Sequence, residues 1–446
     1  MSTVTADQAA ATAAEAAADP EKGPDAGPAA GLAAATRWLR GHPARLAVAI
    51  ALTLQVGLVV GFAAVYRPFD LRIYLWGGQA VTHGLRLYLA QSQGNWFTYP
   101  PFAAALFAPL AALPSLVMRL GWELASVAAF AWCCQVTLKL AGYRPSRTVR
   151  LGVVAAGLTL EPVYHTLYLG QVNVFLLALV LGDVWLVARG RPAGIGVGIA
   201  TAIKLVPGIF ILLFLLTRRT RDAITAAVAF GCCTLIGFAV DPSASRLYWT
   251  RLFYDTARVN ASYISNQSPY AAAVRVLGGV SHVGAWYLAI PVILGALGLA
   301  VAATLARRDD WLGAAAVSGM TGLLVSPISW THHWVWVMPA LIVLLRGGIA
   351  TRIAAACGYL LFVLAPMWWT PWSWTTSESG FHGLVTLAAN CFLLAGLAFL
   401  GYMAVCTWRP DSLQSDDRAP AVPTSPGLAF LATSDAARTL SSYDLS

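Results

Sequence analysis

Residues 189–219 read RGRPAGIGVGIATAIKLVPGIFILLFLLTRR. Arginines stand at both ends of an apolar run that holds a single lysine, Lys204, close before Pro207. Basic residues that flank membrane spans collect on one side of the bilayer, so a single crossing would strand one of these clusters on the wrong face. Two short helices meeting near Lys204 and Pro207 return both clusters to the same side. Pro207 supports a break there, and freed backbone groups at membrane depth are tolerated where they line a cavity. The alternating Gly194, Gly196 and Gly198 fall in the apolar helical part, where small residues allow close packing. The stretch reads as a helical hairpin in a membrane.

The rest of the 446-residue chain has the same character, with 58% hydrophobic and 11% charged residues and a mean hydropathy of +0.66. Soluble domains carry about a quarter charged residues, so the composition is that of an integral membrane protein. Apolar stretches recur from Leu46 to Cys406 and lack the two-residue alternation of barrel strands. The fold class is therefore an all-α polytopic membrane protein. The formal charge of +9 does not point to nucleic acid, because Lys and Arg sit in short clusters beside apolar runs. Examples are Arg37, Arg40 and Arg45; Arg144, Arg147 and Arg150; Arg218, Arg219 and Arg221; and Arg307 with Arg308. Such clusters mark the cytoplasmic ends of spans.

Threading from an inside N-terminus places full spans at about 46–66, 115–138, 151–169, 174–186 and 223–240. Further spans follow at about 284–306, 311–325, 333–345, 351–367 and 383–405. With the hairpin counted as two, the total is about twelve helices. The stretch 70–91 is amphipathic and suits a helix in the outer interface, and FTYPPFAAALFAPLAALP (97–114) is short and proline-rich, an interfacial or re-entrant piece. Residues 1–36 and 409–446 are expected to be disordered cytoplasmic tails around a domain at 37–408. The seven cysteines lie in apolar segments without CxxC or metal-ligand spacing, as small buried hydrophobes do.

This threading gathers on the outer side the polar residues that membrane packing does not require. Asp70, flanked by Arg67 and Arg72, reads either as a carboxylate paired with an arginine or as a general base at the membrane surface. SPISWTHHWVW (326–336) puts His332 and His333 between tryptophans. On a helix, adjacent histidines point about 100° apart, which argues against a shared metal. They read either as caps of the following helix or as groups that bond a lipid phosphate or sugar hydroxyl. Lys204 is either a snorkelling lysine or a cation that neutralises a phosphate. Gln171 and Asn173 in LGQVN suit sugar hydroxyls or interhelical hydrogen bonds, and Glu161 and His165 add titratable groups to the same segment. Tyr99 and Trp330 complete the candidate substrate contacts. Trp368, Trp369, Trp372 and Trp374 form an interfacial belt by default, with sugar stacking as the second reading. No DxD motif, Walker A sequence or dinucleotide fingerprint supports a cytoplasmic nucleotide donor.

Taken together, FDLRIYL, GLRLY and FTYPPFAAALFAPLAALP, then LGQVNVFLLAL, the hairpin and SPISWTHHWVWVMPAL, resemble glycosyltransferase family 87 over about residues 70–345. The resemblance implies an actinobacterial polyprenol-phosphate-mannose-dependent α-mannosyltransferase with a GT-C-like bundle. Its donor would be polyprenyl-phosphate mannose, and its acceptor a mannosylated glycolipid of the phosphatidylinositol-mannoside kind. Transfer is then expected on the outer face of the plasma membrane, inverting, without a metal or other cofactor, and giving an α-1,2 linkage. The family's catalytic carboxylate carries over to Asp70, its histidine to His332 or His333, and a phosphate contact to Lys204. A lipid-linked sugar transporter or flippase is the rival reading. It would place ionisable groups near the bilayer midplane and show related halves.

Overall fold

The computed structural model describes residues 42–372 and 381–408; the expected tails and Trp374 lie outside these residues. Two units are distinguished, Met1–Ala51 and Leu52–Ser446, and everything reported of the site belongs to the second. The helices are α1 (Pro43–Val65), α2 (Phe69–Thr82), α3 (Pro101–Ala111), α4 (Ser115–Leu140), α5 (Arg147–Leu158), α6 (Glu161–Leu169) and α7 (Asn173–Val187). The hairpin supplies α8 (Ile195–Ile203) and α9 (Ile209–Leu216), followed by α10 (Thr220–Val240), α11 (Pro242–Leu247) and α12 (Pro269–Leu277). The remainder is α13 (Ala289–Arg307), α14 (Trp311–Val325), α15 (Val337–Leu345), α16 (Ile349–Leu364), α17 (Leu384–Ala389) and α18 (Cys391–Trp408). Among the described residues, five helical stretches are long and apolar enough to cross a membrane: Pro43–Val65, Ser115–Leu140, Thr220–Val240, Ala285–Arg307 and Cys391–Trp408. Several apolar helices are shorter, α3, α7, α14 and α16 among them. The described residues are all-α apart from the antiparallel pair Gln91–Ser92 and Asn95–Trp96 and an isolated bridge between Asn266 and Trp330.

Local chemistry accounts for where these helices start and stop. α3, α6, α11 and α12 each carry proline in their first two positions, where its missing N–H is no loss. The Asp241 carboxylate accepts from the N–H groups of Ser243 and Ala244 to open α11, and that of Asp310 from Gly313 to open α14. α14 is buried from Trp311 to Leu324. Its Gly, Ala and Ser residues let helices pack around it on all sides, so it sits at the centre of the core.

Two segments differ from the expectation in instructive ways, and a third breaks where the sequence places the break. The amphipathic stretch 70–91 is helical only as far as Thr82, because Gly84 adopts a left-handed conformation (φ 65°). Gln93 and Gly94, both at positive φ, then turn the small hairpin. The stretch 151–169 forms two helices, α5 and α6, parted at Thr159 and Leu160. Pro162 cannot donate the hydrogen bond that would continue α5. Within 192–217 the helix does break at Lys204, which is extended (φ −153°, ψ 125°), and a 3-10 turn at Val206–Gly208 leads into α9.

Candidate active site

The site is assembled from the start of α2, the turn between α6 and α7, the hairpin break and the segment before α15. Gly170 ends α6 in a left-handed conformation (φ 69°), and a Cβ there would lie 2.7 Å from Leu71 Cβ and 2.9 Å from Pro68 Cβ. Only glycine lets this turn seat itself on the first residues of α2. The carbonyl of Gly170 accepts from Trp122 Nε1 at 3.0 Å, which pins the turn to α4.

That contact delivers Gln171 to Asp70. Gln171 Nε2 donates to Asp70 Oδ2 at 2.7 Å and to Tyr99 Oη at 3.2 Å, while its Oε1 accepts from Tyr74 Oη at 2.5 Å. The amide is thereby oriented, with its donors on the carboxylate. Tyr74 lies four residues after Asp70, on the same face of α2. Among the described residues no arginine pairs with Asp70; the Arg72 guanidinium instead donates to Gln93 Oε1 at 2.6 Å. Burial pushes the Asp70 carboxyl up to about 6, against the opposing pull of the Gln171 hydrogen bond and of the Lys204 and His165 charges. A carboxylate near that value is a competent base at neutral pH.

Lys204 emerges where the hairpin breaks. Its Nζ donates to Asn173 Oδ1 at 3.1 Å and lies 2.6 Å from His333 Nε2 and 5.8 Å from the centre of the Tyr99 ring. The ammonium therefore faces inward to polar partners and does not snorkel. Asn173 completes a second link, donating from Nδ2 to the His332 carbonyl at 2.8 Å, where Thr166 Oγ1 also donates at 3.0 Å.

The two histidines, which sit in a 3-10 turn at Thr331–Trp336, do not cap α15. Their rings stand nearly perpendicular, with centroids 4.8 Å apart. His333 is committed to Lys204. His332 is buried, yet among the described residues neither of its ring nitrogens has a hydrogen-bond partner. A buried imidazole with both nitrogens unpaired is costly unless something else occupies them.

Behind His332 lies a supporting cluster. His165 Nδ1 is 2.8 Å from Glu161 Oε1 and 2.9 Å from Thr331 Oγ1, and its ring packs edge-on against His332. Trp368 Nε1 donates to Glu161 Oε1 at 2.9 Å, which ties one member of the expected aromatic belt to the site. Trp369 is exposed. Trp330 stands apart from these hydrogen bonds and lines a cleft of about 210 Å³ that also reaches Tyr99, Lys204 and His333. Thus Asp70, Tyr99, Gln171, Asn173, Lys204, His332 and His333 converge, Glu161 and His165 back them, and Trp330 forms a wall. Tyr74, Thr166 and Ser265 were not singled out by sequence. Spacing from Asp70 and His165 could have flagged the first two, but Ser265, whose Oγ lies 3.1 Å from Thr331 Oγ1, has no sequence signal. Among the described residues no group of three or more His, Cys, Asp or Glu side chains is placed to hold a metal ion.

Comparison with known proteins adds a family. The profile of glycosyltransferase family 87 matches residues 97–327. A polyprenol-phosphate-mannose-dependent alpha-(1-2)-phosphatidylinositol pentamannoside mannosyltransferase of Mycolicibacterium smegmatis is 33% identical over 392 residues, 83% of this chain and 93% of its own. Its namesake in Mycobacterium tuberculosis strain CDC 1551 is 32% identical over 83% of this chain and 90% of its own. The polyprenol-phosphate-mannose-dependent alpha-(1-2)-phosphatidylinositol mannoside mannosyltransferase of M. tuberculosis strain H37Rv is 33% identical over 72% of this chain and 81% of its own.

Proposed function

The chain belongs to glycosyltransferase family 87, and from that membership we propose that it transfers mannose from polyprenyl-phosphate mannose to a mannosylated phosphatidylinositol glycolipid. The observation that carries this reading is the convergence of an oriented carboxylate, Asp70, with an inward-facing ammonium, Lys204, and an unpaired imidazole, His332. Asp70 removes the proton from an acceptor hydroxyl as its oxygen attacks the anomeric carbon of the donor. The bond from that carbon to the phosphate oxygen breaks, and polyprenyl phosphate departs with the electron pair. Lys204 and a neighbouring imidazole stabilise the charge that develops on the leaving phosphate. A single displacement at a β-linked mannosyl phosphate inverts the anomeric centre and gives an α-mannoside; the α-1,2 linkage follows the relatives' names.

The same reading takes the chain as a GT-C-like bundle of about twelve membrane helices, with α2 and α3 at the interface of the first external loop. The catalytic domain is then 37–408 between cytoplasmic tails, with the site on the outer face of the plasma membrane. Because lysine and histidine can neutralise the phosphate, the reaction needs no metal. The test is mannosyl transfer from polyprenyl-phosphate mannose to a phosphatidylinositol mannoside in proteoliposomes with and without EDTA. Chelator-resistant activity is expected. Activity abolished by EDTA and restored by a divalent cation would overturn the metal-free mechanism, and no transfer at all would overturn the substrate pair.

A further inference from the structure

The cleft that reaches Lys204 has a second cation on its wall, Arg258, in the loop between α11 and α12. Three contacts hold this side chain in place. Its Nη2 donates to the Tyr88 carbonyl at 3.0 Å, and its guanidinium carbon lies 4.7 Å from the centre of the Trp96 ring. Its Nε is 3.9 Å from Asp255 Oδ2, which is beyond hydrogen-bond distance. Nη1 is buried and has no hydrogen-bond partner among the described residues. A guanidinium has five N–H donors in a rigid fork suited to phosphate oxygens, and here part of that fork is unfilled.

Among the described residues, Lys204 and Arg258 are the two Lys or Arg side chains that line this cleft, and Asp255 is the one Asp or Glu. The proposed reaction brings together two lipids, each with one phosphodiester and hence one negative charge. Lys204 stands with Asn173 and His333 in the cluster that contains Asp70, where the donor phosphate must lie for the reaction to occur. Arg258 is carried instead by the external loop and held against residues 88 and 96 of the first external segment.

We propose that Arg258 binds the phosphodiester of the acceptor glycolipid, and so selects acceptors built on a phospholipid over uncharged mannosides. This rests on the proposed function and adds to it a residue for acceptor recognition. The donor phosphate meets Lys204, the acceptor phosphate meets Arg258, and the mannose to be extended reaches between them toward Asp70. Trp96 and the Tyr88 carbonyl hold the guanidinium at the cleft wall, so that little side-chain freedom is lost on binding.

The experiment measures KM and kcat for the full chain in proteoliposomes with two acceptors, a phosphatidylinositol mannoside and octyl α-mannoside, which lacks the phosphate. For Arg258→Gln, KM for the phosphatidylinositol mannoside is expected to rise roughly ten- to hundredfold, the cost of losing a hydrogen bond to a charged group. KM for octyl α-mannoside and for polyprenyl-phosphate mannose should stay as in the wild type. Arg258→Lys, which keeps the charge but not the fork, should fall between the two. A rise in donor KM with acceptor KM unchanged would overturn the proposal by moving Arg258 to the donor phosphate. An equal loss with both acceptors would overturn it by showing a role in loop structure alone. Failure of the wild type to use the phosphatidylinositol mannoside while it extends octyl α-mannoside would remove the proposed acceptor, and the inference with it.

Discussion

The two ends of the hairpin treat charge in opposite ways. At the arginine-bearing end, carboxylates are filled by the protein itself. The Asp222 carboxylate accepts from Ala193 N–H at 2.9 Å and from the Arg219 guanidinium, and Asp183 accepts from Val197 N–H at 2.7 Å. Nearby, Arg346 grips Asp310 through two bonds of 2.9 and 2.7 Å. At the Lys204 end, by contrast, neither ring nitrogen of His332 nor Nη1 of Arg258 has a hydrogen-bond partner among the described residues. Protein interiors pair their buried polar groups. The first end is accordingly finished as a scaffold, whereas the second keeps the groups that the proposed reaction would use. A carboxylate's role at either end follows from what already satisfies it.

Substitutions at the unfinished end should damage turnover, and the largest effect is expected from Asp70→Asn. Loss of a general base lowers kcat by roughly 10²–10⁴-fold, measured as mannosyl transfer at matched protein levels. The same change should raise Tm at neutral pH. A carboxyl whose folded value lies above its ordinary one contributes stability at low pH and loses it as pH rises through about 6, so the ionised form is a burden that asparagine removes. A variant both inactive and less stable would place Asp70 in the scaffold. Lys204→Met comes next, with kcat falling roughly 10²-fold through loss of charge stabilisation at the leaving phosphate. Retention of most activity on Lys204→Met would mean that the ammonium serves only to hold Asn173 and His333.

Gln171→Leu sharpens the contrast by pH. In the wild type kcat/KM should decline as pH falls below about 6, where Asp70 takes up its proton and can no longer act as base. Removing the Gln171 donor withdraws a contact that favours the ionised form, so the acid limb moves to higher pH and activity partly recovers in alkaline buffer. An unshifted limb would sever Gln171 from Asp70. The smallest effect on turnover belongs to the finished end. Asp222→Asn should cost about 1–3 kcal/mol of stability, read as a lower Tm, with kcat of the folded fraction unchanged. A large fall in kcat there would erase the distinction between the two ends.

Much of this arrangement could be read from the chain alone. Hydropathy and the arginine clusters announced a helical membrane protein, and Lys204 with Pro207 located the hairpin break, because proline chemistry and burial in lipid act over a few residues. Sequence also nominated Asp70, Gln171, Asn173, Lys204 and the paired histidines, as polar groups that an apolar segment has no packing reason to hold. It left open whether Asp70 pairs with an arginine, and which histidine acts. Those questions turn on contacts between distant positions. Gln171 reaches Asp70 across 101 residues and Lys204 reaches His333 across 129, while Tyr88 steadies Arg258 from 170 residues away. Adjacent histidines are chemically identical as sequence. The 3-10 turn directs one ring to Lys204 and leaves the other without a hydrogen-bond partner among the described residues, a distinction that exists only once the backbone around them is packed. The sequence by itself determined the all-α, apolar fold class, the hairpin break at Lys204 and most of the roster of polar residues, all of which follow from short-range forces. Which of those residues are satisfied by the protein, and which are left with open hydrogen-bonding groups among the described residues, only the tertiary structure decided, because satisfaction depends on partners that folding brings together.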